Sequence, residues 1–193
     1  MKKTLLLVFV LSICTISFAQ RAQFGIKGGL NAARFGGDID EDAVEARVGF
    51  HIGALAHIHI NRNFAIQPEV VYSQQGMVQE LGNNEFEWKV NYVNIPVMFQ
   101  YMFRSGFRIQ AGPQLGVLAS AEIEDRDSNA DTDLEDAIKN VDVSLPIGIG
   151  YMSPSGFGVD ARYNIGLSNV NEVGVNDLRN RVFQIGIFYQ FRR

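Results

Sequence analysis

Apolar and polar residues alternate along nearly the whole chain, with a period of two residues. The eight alternating runs cover residues 24–31, 49–60, 64–73, 92–103, 107–117, 141–151, 157–168 and 183–191. In each run one face carries mainly Ile, Val, Leu, Phe, Tyr and Ala, and no charged side chain falls on that face. Because successive side chains of a strand point to opposite faces of a sheet, this pattern predicts eight β-strands.

The alternation alone does not decide which face points outward. A soluble barrel or sandwich buries its apolar face and exposes a charged one. Here the second face carries Gly, Gln, Asn and isolated charges, whereas the apolar face is bulky and gathers aromatic residues near the strand ends. These features favour an apolar face turned to lipid. Since lipid offers no partner to backbone N–H and C=O groups, such a sheet has to close into a barrel.

The connections between the runs alternate in length. Short turns are predicted at 61–63, 104–106 and 153–156, and long loops at about 33–46, 76–88, 120–140 and 169–180. Short periplasmic turns and long extracellular loops are typical of outer-membrane barrels. The sequence therefore predicts an all-β fold, an eight-stranded antiparallel up-and-down transmembrane β-barrel in the outer membrane, with both termini periplasmic.

The first nineteen residues follow a different pattern. They begin with two lysines, continue with an apolar run and end in Ser-Phe-Ala. This predicts a cleaved signal peptide over 1–19 and a barrel domain over 20–193. A lipoprotein signal with Cys14 as the lipidated residue is the alternative, and it is disfavoured because bulky Ile13 stands where a small residue is preferred.

Composition removes several classes of function. The single cysteine lies in the predicted signal peptide, so the mature chain has no disulfide, thiolate nucleophile or cysteine metal site. Loss of the two lysines lowers the formal charge from −4 to −6, which disfavours nucleic acid as a partner. No later stretch approaches the eighteen apolar residues of a membrane-spanning helix.

Four segments resemble the PorT-like outer-membrane β-barrel domain family. They are QPEVVYSQQG at 67–76, YVNIP at 92–96, AGP at 111–113 and DARYNIGLSN at 160–169. The resemblance covers the chain from about residue 23 to 191. It implies an eight-stranded barrel in the outer membrane and little about activity, because function need not follow fold.

The end of the chain resembles the signal that outer-membrane proteins present to the barrel-assembly machinery. The residues that carry this resemblance are Gln184, Gly186, Tyr189 and Phe191. One departure is that two arginines follow the final aromatic residue, where the signal usually ends the chain. The assembly machinery is accordingly an expected partner, together with outer-membrane lipid and lipopolysaccharide.

The inward face carries isolated charges and histidines. Eight strands enclose an interior that side chains just fill, so these charges are expected to pair across the barrel and to leave no diffusion channel. The predicted lumen network is Lys27, His57, Glu69, Arg108, Asp160 and Arg162, with Arg47, His51, His59 and Asp142 also facing inward.

Three patterns suggest chemistry, and in each the plainer interpretation is preferred. His51, His57 and His59 share a face with Glu69 on the next strand. However, histidines two residues apart are about 7 Å from each other along a strand. We therefore expect these side chains to fill the barrel interior as polar groups and to form no metal site. A histidine with Ser73 and Glu69 matches no hydrolase motif, since Gly-x-Ser-x-Gly is absent, and no catalytic residue is assigned. The acidic stretches at 38–42 and 122–136 lack a calcium-binding loop pattern and are interpreted as solvated extracellular loops.

These observations predict a non-enzymatic outer-membrane protein without a cofactor. It would have a plugged polar lumen, acidic extracellular loops and an envelope-structural or loop-mediated binding role. The alternative is an accessory component of an outer-membrane protein secretion or uptake system, with secretion-system proteins as partners.

Overall fold

The computed structural model describes residues 22–37, 44–81, 84–125, 130–133, 138–170 and 178–191. Within these ranges there are ten strands: β1 (Ala22–Gly37), β2 (Val44–His59), β3 (Phe64–Leu81), β4 (Asn84–Met102), β5 (Phe107–Ala111), β6 (Gln114–Asp125), β7 (Ala130–Asp133), β8 (Val141–Met152), β9 (Phe157–Gly166) and β10 (Leu178–Gln190). In the same ranges no helix has the length and apolarity needed to cross a membrane. The predicted signal peptide, residues 1–19, lies outside the described residues.

The strands form one antiparallel sheet that closes into a ring. β1 pairs with both β2 and β10, and the pairing of β3 with β4 completes the circle. Nine strand segments of the described chain make up the ring, and they correspond to the eight predicted strands because β5 and β6 lie end to end between β4 and β8. Gly112 and Pro113 separate these two segments without changing the register. The predicted all-β barrel is confirmed, with its fifth strand divided.

The apolar face points outward, as predicted. The outward side chains of β10 and β9 are among the most exposed in the protein, with Ile187 at 63% and Phe157 at 60%. The neighbouring inward side chains are buried, for example Gln184 and Asp160. Because lipid rather than water can cover such a surface, the barrel has the inverted polarity of a membrane protein.

A band of outward aromatic rings surrounds the end of the barrel that carries the short turns. Phe64, Tyr101 and Phe103 form successive edge-to-face contacts with ring centroids 5.1 Å and 4.9 Å apart. Tyr189 contacts Phe157 at 4.7 Å on the opposite side of the barrel end. Aromatic bands of this kind are typical of the boundary between membrane and water.

The short turns lie where they were predicted, but the long loops do not. β3 and β4 continue through most of the predicted loop at 76–88, and β1 and β2 extend into the predicted loop at 33–46. The predicted loop at 120–140 contains the end of β6 and the whole of β7. Strands therefore replace much of the predicted loop structure, and that part of the prediction was wrong.

Two β-bulges, one in β2 and one in β6, account for part of this difference. The pairing of β2 with β3 shifts between Ala46 and His51, and the pairing of β4 with β6 shifts between Asn91 and Tyr92. An extra residue in one strand exchanges the inward and outward positions beyond it. Thus Arg47 and Val44, three residues apart, are both buried, and the two-residue alternation is lost although the strand continues.

Beyond the bulges the ring divides into two walls. Pairing of β1 with β2 ends at Ala33 and Arg47, and pairing of β6 with β8 ends at Val117 and Val141. The β3–β4 wall contains residues 44–46, 77–81, 84–91 and 120–125, and the β1–β10 wall contains residues 34–37, 138–140, 170 and 178–182.

Apolar side chains fill the space between the two walls. Phe35, Ile138 and Val170 of the β1–β10 wall are buried against the β3–β4 wall. The buried residues on the other side are Val44, Met77, Val90 and Ala121, with Trp88 partly buried beside them and Tyr92 adjoining the cluster from within the ring. The interior of the protein is therefore polar within the ring and apolar between the walls.

Candidate functional site in the barrel interior

Four charged side chains meet at the centre of the ring. They are Lys27 of β1, Glu69 of β3, and Asp160 and Arg162 of β9, and all are buried. Arg162 donates two hydrogen bonds to Glu69, from Nη1 to Oε2 at 2.8 Å and from Nη2 to Oε1 at 2.7 Å. Lys27 Nζ lies 3.1 Å from Asp160 Oδ2 and 3.4 Å from Glu69 Oε2, and Arg162 Nη2 lies 3.0 Å from Asp160 Oδ2.

Glycines on the neighbouring strands provide the space for this ion cluster. Asp160 pairs with Gly150 on one side and with Gly186 on the other, so neither neighbouring strand places a side chain directly beside it. Arg162 pairs with Gly148, where an added Cβ would lie 2.9 Å from Arg162 Cγ. The inward glycines of the sequence thus allow long charged side chains to cross the interior.

The ion cluster contains two cations and two anions, so its charges balance. Buried charges are strongly disfavoured unless they are paired and hydrogen-bonded. Each carboxylate here contacts both cations, and the Arg162–Glu69 pair has the bidentate geometry that gives strong charge-assisted hydrogen bonds. The cluster joins β1, β3 and β9 across the interior.

A hydrogen-bond chain leads from the ion cluster to His57. Gln67 Nε2 donates to Glu69 Oε1 at 2.8 Å, which orients the Gln67 amide because a carboxylate only accepts. Gln67 Oε1 therefore faces His57 Nδ1 at 3.0 Å, and this assigns the proton to Nδ1. His57 is fully buried, and its ring meets that of His59 edge-on at 4.5 Å.

A second hydrogen-bond network surrounds His51. His51 Nδ1 lies 2.7 Å from Asn31 Oδ1, and Asn31 Nδ2 donates to Ser73 Oγ at 3.0 Å. Gln184 Nε2 also donates to Asn31 Oδ1, at 3.1 Å. In the described chain the hydrogen bonds of Glu69 run instead to Arg162 and Gln67, so the contacts connect no histidine–serine–carboxylate relay.

The histidines do not converge. His57 contacts His59, whereas His51 is bonded to Asn31 in the separate network. Over the residues that the structure describes, no group of three or more His, Cys, Asp or Glu side chains is placed to hold a metal ion.

Arg108 closes the turn end of the interior together with Phe188. The Arg108 guanidinium lies 5.3 Å from the centroid of the Phe188 ring, and its Nη1 donates to Gln100 Oε1 at 3.2 Å. The Phe188 ring covers Gly158, where an added Cβ would lie 2.1 Å from its Cζ. The sequence did not lead us to expect that Phe188 closes this end of the interior. The available signals were its place on the inward face of the strand and the glycine, Gly158, on the inward face of the neighbouring strand.

The structure thus brings Lys27, Glu69, Asp160 and Arg162 into direct contact and joins His57 to them through Gln67. Arg108 lies outside the ion pairs. The bond of Arg47 Nε to Glu87 Oε1, at 2.6 Å, was not expected from the sequence, because Glu87 falls in a predicted loop.

The residues of the predicted assembly signal occupy both faces of β10. Gln184 and Gly186 face the interior, where Gly186 lies against the His51 ring. Tyr189 and Phe191 contact each other on the outer face, with centroids 5.4 Å apart. Their role in recognition by the assembly machinery stays a prediction.

The predicted acidic loops are described only in part. Glu122 and Glu124 lie on β6, where Glu124 forms an ion pair with Lys89 of β4. Residues 38–42, 126–129 and 134–137 lie outside the described residues, and the interpretation of these segments as solvated loops stays a prediction.

A closed antiparallel ring with an apolar outer face and an ion-paired polar interior defines a transmembrane β-barrel. The chain belongs to the outer membrane protein beta-barrel domain family, whose sequence profile matches residues 18–172. It is therefore an integral outer-membrane protein. The finer resemblance to PorT-like members stays a prediction.

Solved structures with the same fold include those of the following two proteins. Neisserial surface protein A (NspA) is 14% identical, with a TM-score of 0.58 over 88% of this chain and 99% of that chain. Ail, the attachment invasion locus protein of Yersinia pestis, is 13% identical, with a TM-score of 0.54 over 89% of this chain and 99% of that chain. At these identities the likeness establishes the fold alone. No curated protein matches the sequence.

Proposed function

We propose that this protein is a non-enzymatic outer-membrane barrel with a sealed interior, which acts at the cell surface through its two walls in a structural or binding role. The observation that carries the proposal is the filling of the interior at three successive levels. Phe188 and Arg108 occupy the turn end, the ion cluster occupies the centre, and apolar side chains occupy the space between the walls. Side chains packed in this way leave no continuous path for water or solutes.

Planar-bilayer recording on refolded protein tests the sealed interior. We expect no stable ohmic conductance from the wild type. A matched variant, Phe188→Ala with Arg108→Ala, shortens the side chains at the turn end and leaves the ion cluster in place, so it should also stay closed. Steady conductance of porin size from the wild-type monomer would contradict the proposal and favour solute transport.

The proposed sidedness places the short turns and both termini in the periplasm and the walls outside the cell. Since the chain beyond the predicted signal peptide has no cysteine, single cysteines report on each side without background. Glu122→Cys in β6 should react with a membrane-impermeant maleimide on intact cells, whereas Ser105→Cys in a short turn should react only after the outer membrane is permeabilised. The reverse pattern would invert the orientation.

A deletion strain separates the proposed role from the alternatives. Envelope sensitivity or loss of surface binding alone would support the proposal. Loss of secreted proteins from the medium would instead support an accessory role in secretion, and altered lipid A would support an enzyme.

A further inference from the structure

Arg108 is a buried cation that lacks an anionic partner in the described part of the chain. It is 2% exposed, and its contacts are with the neutral side chains of Gln100 and Phe188. Asp160 faces it across Gly150, but the ion pairs of Asp160, both through Oδ2, are with Lys27 and Arg162. The turn end and centre of the interior therefore hold three buried cations, Lys27, Arg108 and Arg162, against two described anions, Glu69 and Asp160.

The other described inward charges lie too far away or are already paired. Asp142 is eight residues from Gly150 on the same strand, which corresponds to roughly 26 Å at about 3.3 Å per residue. It also accepts a hydrogen bond from Ser168. Arg47 is paired with Glu87. Among the described residues one excess positive charge thus remains near Arg108, where burial makes an uncompensated charge strongly unfavourable.

Three unpartnered hydrogen-bond donors lie around the same part of the interior. They are Arg108 Nε, Gln110 Nε2 and Arg162 Nε, all buried without a hydrogen-bond partner in the structure. Arg108 and Gln110 are successive inward residues of β5, and they pair with Gly150 and Gly148 of β8. Gly148 pairs in turn with Arg162 of β9. Arg162 Nη2 also donates to Gln110 Oε1 at 3.3 Å, so these two side chains meet across Gly148. Arg108 packs over Gly150, where an added Cβ would lie 3.3 Å from Arg108 Cγ. The two glycines of β8 therefore bring the three donor side chains together.

We propose that Arg108, Gln110 and Arg162 bind one small monovalent inorganic anion inside the barrel. Hydrogen-bond donors and a net positive charge select an anion, and a single excess cation matches a single negative charge. Arg108 follows the short turn at 104–106 by two residues, so the site lies near the turn end of the barrel. A halide is the chemical class that fits an interior already filled with side chains.

Bromide locates the site directly. Crystals of detergent-solubilised wild-type protein grown in sodium bromide are measured at the bromine absorption edge. We expect an anomalous peak within hydrogen-bonding distance of Arg108 Nε. Absence of a peak at that position would overturn the proposal, whatever peaks occur on the outer surface.

Thermal unfolding in detergent provides a second test. Potassium chloride is compared with potassium gluconate at equal ionic strength, because gluconate is too large for the site. A ligand that binds the folded state should raise the unfolding midpoint by roughly 3–5 °C for each tenfold increase in chloride above its Kd.

Two variants make the second test specific. Arg108→Met keeps the apolar stem, removes the charge and should abolish the difference between chloride and gluconate. Arg104→Gln, in the exposed turn, should preserve it. An insensitive wild type, a chloride effect that persists in Arg108→Met, or one that disappears in Arg104→Gln would each overturn the proposal. If Arg108→Met does not fold, the bromide position decides. Both tests use folded protein in detergent, so their failure would leave the sealed interior standing.

Discussion

Replacement of Glu69 by Gln tests the ion cluster most sharply, because the geometry predicts that even this near-isosteric change is poorly tolerated. Each carboxylate oxygen faces two donors. Oε1 faces Arg162 Nη2 and Gln67 Nε2, while Oε2 faces Arg162 Nη1 and Lys27 Nζ. Either orientation of the new amide therefore points its NH₂ group at two donors, and Lys27 and Arg162 are left with Asp160 as their shared anion.

The expected cost of Glu69→Gln follows from the loss of one partner of a buried ion pair. Such losses are about 3–5 kcal/mol, because the remaining charge stays desolvated. Urea unfolding in lipid vesicles, followed by the far-ultraviolet circular dichroism of the strands, measures the free energy of unfolding. Glu45→Gln is the matched control, since Glu45 is exposed on β2, and it should lie within about 0.5 kcal/mol of the wild type.

A double variant separates charge balance from hydrogen bonding. Lys27→Met with Glu69→Gln leaves one cation, Arg162, and one anion, Asp160, which lie 3.0 Å apart. We expect the double variant to be more stable than Glu69→Gln alone, since neighbouring substitutions in one network are not additive. If Glu69→Gln proves as stable as Glu45→Gln, the assignment of the cluster as a stabilising contact across the barrel is refuted.

Three further predictions address other parts of the molecule. Ile147→Arg places a charge on the outer face of β8, where Ile147 is 42% exposed. At a position near the bilayer midplane this should lower the free energy of unfolding by about 2–4 kcal/mol. Ile147→Val is the control, and equal folding yields of the two variants in vesicles would contradict the assigned face. Gly158→Ala should destabilise the barrel by about 1–3 kcal/mol, because the new Cβ would overlap the Phe188 ring. Adding Phe188→Leu to the same chain should restore part of this lost stability in urea unfolding. No restoration would argue against the contact between Gly158 and Phe188. Phe35→Ala should lower the free energy of unfolding by about 3–5 kcal/mol, because it removes packing between the walls. Amide hydrogen exchange should become faster in residues 34–37 and stay unchanged in residues 145–151. Uniformly faster exchange would show that the walls and the ring open together.

The alternation of side chains was sufficient to predict the ring and its sidedness. Lys27 and Glu69 could be assigned to the interior because strand geometry fixes the face of every second residue. Their particular contacts could not be predicted, since these depend on register. Asp160 has Gly186 as its partner on β10, whereas Lys27 has Phe188, two residues further along the same strand. No local pattern in the sequence reveals which glycine will face which charge.

The strand ends were mispredicted for a related reason. A bulge adds one residue and exchanges the two faces, so a strand that continues past it resembles an irregular loop in sequence. Residues 86–91 also turn apolar side chains toward the other wall rather than toward lipid, which reverses the rule that holds within the ring. Val90 is buried, whereas Val93, three residues later, belongs to the outward face.

The division of the interior implies that this protein has two cooperative units with different driving forces. The ring depends on lipid to cover its outer face, whereas the walls are held together by the hydrophobic effect in water, which weakens on cooling and in urea. The chain carries a single tryptophan, Trp88, and it packs in the β3–β4 wall. Its fluorescence therefore reports the walls, while circular dichroism is dominated by the strands of the ring. In a urea titration the fluorescence transition should precede the dichroism transition, and this non-coincidence of two probes would mark an intermediate with separated walls and an intact membrane-embedded barrel.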